Sequence, residues 1–325
     1  MDISTTYLGL SLKNPIIVAS CGLTKTVDQI KKCEQAGAGA VVMKSVFEEQ
    51  IREMDSGIKD SVEMHPEAME YIRAEIDMQY GTREYLETIR QAKKSVSIPV
   101  IASVNCHSSK WWTTYARQIE AAGADALELN IYVLPYNSEI SSYNLENIYV
   151  EILQAVTEQV KLPIALKLSP YFTSFANLAE KLDNHGADGL VLFNRFIQPE
   201  IDINKIVASV KPSFDDPVGY KHSLRWIALL SEKLKLDLAA SGNIRNAEDM
   251  IKQLLAGASV IQIASVLYKE GTGKINEMLN DLKDWMKKKN FNSIAEFQGK
   301  LNQQNNPQSE MWVRAQYIKT IAGIE

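Results

Sequence analysis

Eight short apolar runs separated by amphipathic stretches, Gly-Ala pairs ahead of four of those runs and proline-led starts ahead of two more predict a (β/α)8 TIM barrel. The runs are Ile16–Ser20, Ala40–Ser45, Val100–Asn105, Ala126–Asn130, Ile164–Ser169, Gly189–Asn194, Leu236–Gly242 and Ser259–Ser265. None alternates polar with apolar, the pattern of parallel strands covered on both faces. Gly37-Ala38, Gly123-Ala124, Gly186-Ala187 and Gly257-Ala258 read as helix stops, because glycine takes left-handed backbone cheaply and a small residue lets the chain turn into a strand. Ile98-Pro99-Val100 and Leu162-Pro163-Ile164 start two further strands, and Leu236-Asp237-Leu238 starts a third. The two kinds of start alternate from the second strand to the eighth, a rhythm of repeated βα pairs. A doubly wound open sheet is the structural rival, but its phosphate turn would follow the first strand as GxGxxG. Ala19-Ser20-Cys21-Gly22 is not that motif.

In chain order, Thr5–Leu8 and Leu12–Asn14 flank a turn at Gly9 and predict a hairpin capping the barrel bottom. Helices are expected at Val27–Gln35, Glu84–Lys94, Thr113–Ala122, Leu145–Val160, Phe175–His185, Leu224–Leu234, Ala247–Leu255 and Ile275–Lys288. The basic run from Lys283 to Lys289 reads as a solvated helix end. Three connections are long, Val46–Thr82, Ile131–Asn144 and Arg195–Ser223, and all rise from the C-terminal face, where barrels enclose substrate. The expectation is one domain over 1–325, with 291–325 as a C-terminal extension of one or two helices.

Composition narrows the function classes. The 325 residues are 46% hydrophobic and 23% charged, as in a globular protein, and the net charge is −5. With a pI near 5.6, nothing favours nucleic acid or an anionic membrane as partner. Three cysteines without a CxxC pair suggest a reducing compartment and neither a disulfide framework nor a metal site. No signal peptide and no membrane span is legible, so a cytoplasmic location is expected.

Ionisable and amide side chains need a reason to sit in strands buried on both faces. Lys44 and Lys167 lie near the ends of the second and fifth strands. Asn105, Asn130 and Asn194 end the third, fourth and sixth, and Ser20 ends the first. All six lie at the end where barrel enzymes hold their chemistry. For a single such residue, a cap or satisfied turn is the simpler explanation; five strands ending alike point to a site. Lysine with asparagine donors and acceptors suits a small, flat, polar heterocycle. Ser241-Gly242-Asn243 and Ala264-Ser265 are small enough for backbone N–H groups to approach a phosphate, and Asn246 is placed to cap the next helix. A phosphate site beside a polar mouth points to flavin mononucleotide (FMN).

These residues also carry a family resemblance. Asn14-Pro15-Ile16 to Gly22, Val42-Met43-Lys44-Ser45, Glu128-Leu129-Asn130, Ala165 to Pro170, Phe193-Asn194, Ser241-Gly242-Asn243-Ile244 and Gln262-Ile263-Ala264-Ser265 resemble, in order and spacing, the motif series of dihydroorotate dehydrogenases. The set covers about residues 5–290 and looks like the soluble class 1 branch, whose members are usually dimers. The resemblance implies an FMN-dependent dehydrogenase acting on a CH–CH bond, taking dihydroorotate to orotate in pyrimidine biosynthesis. It implies that Ala19 and Ser20 line the flavin ring and that Lys44 and Ser45 contact flavin and substrate. Asn130 and Lys167 would bond the ring's polar edge, Asn130 and Asn194 would reach the substrate, and Gly242, Asn243, Ala264 and Ser265 would hold the phosphate. Asn105 belongs to the same mouth.

The departures are equally specific. The family's catalytic base, Cys in class 1 and Ser in class 2, stands three residues beyond the asparagine matching Asn130, and here that position is Val133. Valine cannot accept a proton. Ser61 to Glu67 has no match to the family's substrate loop, and Arg195 stands where members carry Ser or Thr. Tyr132, Tyr136, His65 and Cys106 are candidate substitutes for the base, against lid packing, surface exposure or an inert buried thiol. Cys21 reads as packing. Arg195 suits a substrate carboxylate, or an ion pair with Asp202. The competing functions are a diverged relative with another small polar substrate, a non-catalytic flavin-binding barrel, and a Schiff-base lyase using Lys167 or Lys44.

Overall fold

The computed structural model describes residues 1–47, 82–105, 109–131, 133–134, 136–194, 200–209 and 219–313. At the N-terminus, β1 (Thr5–Tyr7) and β2 (Leu10–Leu12) pair antiparallel, with Tyr7 opposite Leu10. The two turn residues, Leu8 (φ 54) and Gly9 (φ 71), are both left-handed, which matches the twist of a two-residue hairpin. So tight a turn starts the second strand at Leu10, two residues earlier than the sequence suggests. Asn14 leaves the strand to brace the next one: its side chain accepts from Ile16 N–H at 3.0 Å and donates to the Gly37 carbonyl at 2.7 Å.

Eight parallel strands then close a ring: β3 (Ile16–Val18), β4 (Ala40–Val42), β6 (Val100–Asn105), β7 (Ala126–Asn130), β8 (Ile164–Leu168), β9 (Gly189–Leu192), β12 (Asp237–Ser241) and β13 (Val260–Ile263). Each pairs with two neighbours, and β4 joins β6 to complete the circle. A two-residue strand, β5 (Val46–Phe47), extends the β4 edge along β6. Regular pairing stops short of the predicted ends at Ser20, Ser45, Ser169, Asn194, Gly242 and Ser265, because the strands splay at the mouth. Single bonds continue there, from Ala19 N to Ile263 O (2.9 Å) and from Asn194 N to Leu168 O (2.7 Å).

Among the described residues the helices of the barrel are α1 (Val27–Gln35), α2 (82–95), α3 (Ser109–Ala122), α4 (Ser142–Thr157), α5 (Phe175–Asn184), α6 (Gly219–Leu230), α7 (Ala247–Ala256), α8 (Ser265–Glu270) and α9 (Lys274–Lys288). α4 begins and ends three residues before its expected span, with Ser141 capping it through Asn144 N–H. α6 starts five residues early, and α8 was not anticipated. The Gly-Ala stops work as read. Gly37, Gly123, Gly186 and Gly257 have φ between 92° and 113°. At each, the glycine N–H reaches back three residues and the alanine N–H five, as in Gly37 N to Glu34 O (2.9 Å) and Ala38 N to Cys33 O (3.1 Å). This pair of bonds satisfies the helix's last carbonyls, and an L side chain there costs roughly 1–2 kcal/mol. The Asp just before the strand, or at its start, does a second job: Asp125 accepts from Val100 N–H (2.7 Å), Asp188 from Ile164 N–H (2.8 Å) and Asp237 from Leu8 N–H (2.8 Å).

Alternate strand residues face the lumen. In its lower half these are Ile17, Ala40, Ile101, Ala126, Val191 and Ala239, and the hairpin's Tyr7, Leu8 and Leu12 plug that end. Gly189 admits the plug, since a Cβ there would sit 2.7 Å from Leu8 Cδ2. The connection after β9 holds an unanticipated antiparallel hairpin, β10 (Glu200–Asp202) and β11 (Val207–Ser209). Among its described residues, to 313, the tail beyond α9 is mostly turns, with a 3₁₀ segment at Ile294–Glu296 and a one-turn α10 (Glu310–Val313). No helix among the described residues is long and apolar enough to cross a membrane.

Candidate active site

One layer above the plug the lumen becomes polar. Glu128, Lys167 and Gln262 lie two residues further along β7, β8 and β13 than Ala126, Ala165 and Val260, so the strand period points all three inward. Gln262 bridges the other two: its carbonyl oxygen accepts from Lys167 Nζ at 3.2 Å and its amide nitrogen donates to Glu128 Oε2 at 2.7 Å. Glu128 Oε1 stands 3.8 Å from Lys167 Nζ and has no hydrogen bond. Glu128 is 1% exposed and Lys167 7%. Beneath them the Tyr7 hydroxyl is also unbonded. Burial, with Glu128 and Asp237 adding to it, raises its pKa well above the ordinary tyrosine value.

A third layer forms the mouth. Asn130 pairs in register with Lys167, and its carbonyl oxygen accepts from the Asn194 amide at 2.9 Å. Asn130 thus offers a ligand its –NH2, while Asn194 offers its carbonyl oxygen. Across the mouth, Ser20, Ser45 and Ser103 form a hydroxyl chain with steps of 2.9 and 2.8 Å. The chain exists because the β4 side carries one extra residue: Val42 pairs with Ile101, but Val46 pairs with Val104. The bulge turns Ser45 inward, and the Tyr85 hydroxyl fills the gap it leaves. That hydroxyl accepts from Ser103 N–H (2.8 Å) and donates to Ser103 O (3.1 Å). Lys44 stays exposed at the rim, its ammonium 5.4 Å from the Phe47 ring centre. Of the four residues expected to converge, Asn130, Asn194 and Lys167 join through contacts and register; no described contact ties Lys44 to them. Asn105, half-buried, ends β6 at the same rim.

The neighbouring turns are tightly built. Gly242 (φ 103) and Asn243 (φ 54) are consecutive left-handed residues after β12, and Asn246 caps α7 through Asp249 N–H at 2.9 Å. Ala264 is the N-cap of α8, so Ser265 opens that helix rather than ending a strand. Tyr268 on α8 approaches Gly22 so closely that a Cβ there would lie 2.6 Å from its hydroxyl. That contact fastens the turn carrying Ala19 and Ser20 to the one carrying Ala264 and Ser265. Cys21, in the first of these turns, is buried, and burial raises its thiol pKa.

Val133 is partly buried against the core. The Tyr149 hydroxyl lies beside its backbone without a hydrogen bond, and burial pushes that phenol up to about 12. Tyr136 is 85% exposed. Tyr132, Cys106, His65 and Arg195 lie outside the described residues. Reading the sequence by strand ends missed Glu128, Gln262, Ser103 and Tyr85 as site-building residues. Glu128 carried the signal, being an ionisable residue in an apolar strand two positions before Asn130.

The Dihydroorotate dehydrogenase family model matches residues 2–286. The chain is 29% identical over 304 residues to the Thermoplasma volcanium protein named dihydroorotate dehydrogenase B (NAD(+)), catalytic subunit, covering 92% of this chain and 98% of that one. It is 27% identical over 309 residues to the Pyrococcus furiosus protein of the same name, again covering 92% and 98%. With the Methanocaldococcus jannaschii protein, also so named, it shares 25% over 304 residues, covering 89% and 95%.

Proposed function

The chain belongs to the dihydroorotate dehydrogenase family, and from that premise we propose that it is an FMN-dependent oxidoreductase acting on the CH–CH bond of a small polar heterocycle, dihydroorotate first. The observation that carries this reading is the buried Lys167 ammonium in register with Asn130, itself bonded to Asn194, at the C-terminal ends of a closed barrel. The donor set fits the cofactor. A cation and two amides answer a flavin's polar edge, and the left-handed turn at Gly242-Asn243 with the α8 start at Ala264-Ser265 offers backbone N–H groups to its phosphate.

When bound, FMN supplies the hydride-accepting ring. Lys167 stabilises negative charge at the ring's polar edge. Ala19 and Ser20 line the ring, Ser45 meets it from the hydroxyl chain, and Lys44 reaches the substrate from the rim. Asn130 and Asn194 present the donor and acceptor that match the substrate's C=O and N–H groups. Val133 takes no proton, and the neighbouring Tyr149 phenol, at about 12, keeps its own at neutral pH. Tyr132 and Cys106 are the candidate proton acceptors, and Arg195 the candidate carboxylate partner. Removing the true acceptor slows flavin reduction by roughly 10²–10⁴-fold, so Tyr132→Phe and Cys106→Ala separate the two.

The relatives' printed name, catalytic subunit, supports a companion subunit that receives the electrons. We also read the protein as a homodimer, on the exposed Ile203 and Ile206 of the β10–β11 hairpin (81% and 86%). A visible spectrum followed by anaerobic mixing with dihydroorotate tests the activity. The expected result is a yellow protein whose flavin bleaches between about pH 6 and 9, the range around neutrality in which such a base works, and whose spectrum responds to orotate. A colourless protein indifferent to FMN ends the flavin reading. A yellow protein that dihydroorotate leaves unbleached removes that substrate and leaves the second reading, a diverged relative, which Val133 favours.

A further inference from the structure

We propose that Glu128 sets the redox poise of the flavin site by acting through Lys167; the proposal rests on the FMN reading above. Glu128 lies below Asn130 and Asn194, and its described contacts run to Gln262 and Lys167, so it acts as a positioning residue through Lys167. The Gln262 amide has a single orientation that works here. Lys167 can only donate and a carboxylate can only accept, so the amide oxygen must face the ammonium and its nitrogen must face Glu128. The three groups therefore form a polarised relay, cation to amide to anion, closed by a direct 3.8 Å approach of opposite charges.

Two features make that relay consequential. Both charged ends are almost wholly buried, so solvent screens them little. Glu128 Oε1 accepts no hydrogen bond, and the Tyr7 hydroxyl below makes none either. The negative charge is thus directed at Lys167 rather than spread among donors beneath it. Lys167 consequently presents the ring with a cation already partly neutralised from behind. The reduced flavin is stabilised less than a free ammonium would allow, and the relay determines by how much.

The test measures the midpoint potential of bound FMN by dye-linked titration in wild type, Glu128→Gln and Gln262→Glu. Glu128→Gln removes the opposing charge while keeping shape. At a fixed poise its reduced-to-oxidised ratio should rise at least tenfold, about 30 mV upward for a two-electron couple. Gln262→Glu adds a second carboxylate beside Lys167 and should move the ratio at least as far the other way. Opposite shifts support the proposal, whereas a purely structural role would move both variants alike or neither. Flavin-loaded variants with unchanged or same-signed shifts overturn it. If Glu128→Gln does not fold, the sign of the Gln262→Glu shift decides alone. A wild type that takes up no FMN overturns the cofactor reading itself, a result distinct from unmoved potentials.

Discussion

Replacing Lys167 with methionine strands a charge. Glu128 would keep one bond, from the Gln262 amide nitrogen, with its other oxygen unpartnered in a position 1% exposed. Gln262 would at the same time lose the donor on its carbonyl oxygen. Breaking one side of a buried ion pair costs about 3–5 kcal/mol, because the surviving charge stays desolvated. An unfolding entropy of about 2.1 cal/mol/K per residue gives about 0.7 kcal/mol per degree for a chain of 325 residues. The melting temperature should therefore fall by about 4–7 °C. Adding Glu128→Gln removes the stranded charge, so the double variant should recover most of the loss, with a coupling of about 2–3 kcal/mol. Calorimetry on cofactor-free protein at pH 7 reads this without a contribution from FMN binding. A Lys167→Met melt within about 1 °C of wild type, or a double variant equal to the two singles added, refutes the relay as an energetic unit.

Gly39→Ala should destabilise the barrel by about 3 kcal/mol or abolish soluble expression, since its Cβ would lie 2.3 Å from the Asn14 carbonyl oxygen, a backbone atom that cannot swing away. A melt unchanged by that substitution contradicts the packing. Partial burial works to raise the Glu34 carboxyl, but hydrogen bonds from Ser97 and Ile98 outweigh it and hold the carboxyl below its ordinary value. A depressed carboxylate contributes stability above its unfolded pKa and loses it as pH falls through the folded one. Glu34→Gln should accordingly cost about 1 kcal/mol at pH 7, with the gap to wild type closing below pH 4.5; a pH-independent gap argues against the charge. Ile203→Asp with Ile206→Asp should convert a particle of twice the 36.4 kDa chain mass into a monomer by light scattering. Persistence of the larger particle rules the hairpin out as the interface.

Legibility followed burial. α1 was found to the residue because its Thr26 cap and its Gly37 stop are local signals acting on an amphipathic stretch. The eight ring strands were found because each is buried on both faces and mostly apolar without alternation. β10 and β11 escaped because Ile201 and the turn's Ile203 and Ile206 face outward, so no core imposes a pattern. The cue there is Asp202, whose carboxyl accepts from the N–H groups of both Asn204 and Lys205 to make the turn. α8, at six residues, is too short for a helical period to show. Within the site, the strand-end asparagines were visible as single residues, whereas the Glu128–Gln262 relay spans 134 positions and exists only once the ring has closed. The serine chain depends on a bulge, which changes register without leaving a mark in composition.

A cylinder of strands normally has no seam, since every backbone group is spoken for by a neighbour. Here one rung is surrendered between Ile101 and Val104 and handed to a phenol from the helix behind. A side chain can withdraw where a ladder bond cannot, so the amide of Ser103 should trade its proton with solvent sooner than its flanking residues do. The wall of the cylinder depends there on a side chain rather than a ladder, beside the chain of three serine hydroxyls, so a local opening would begin at Ser103 without unzipping a strand.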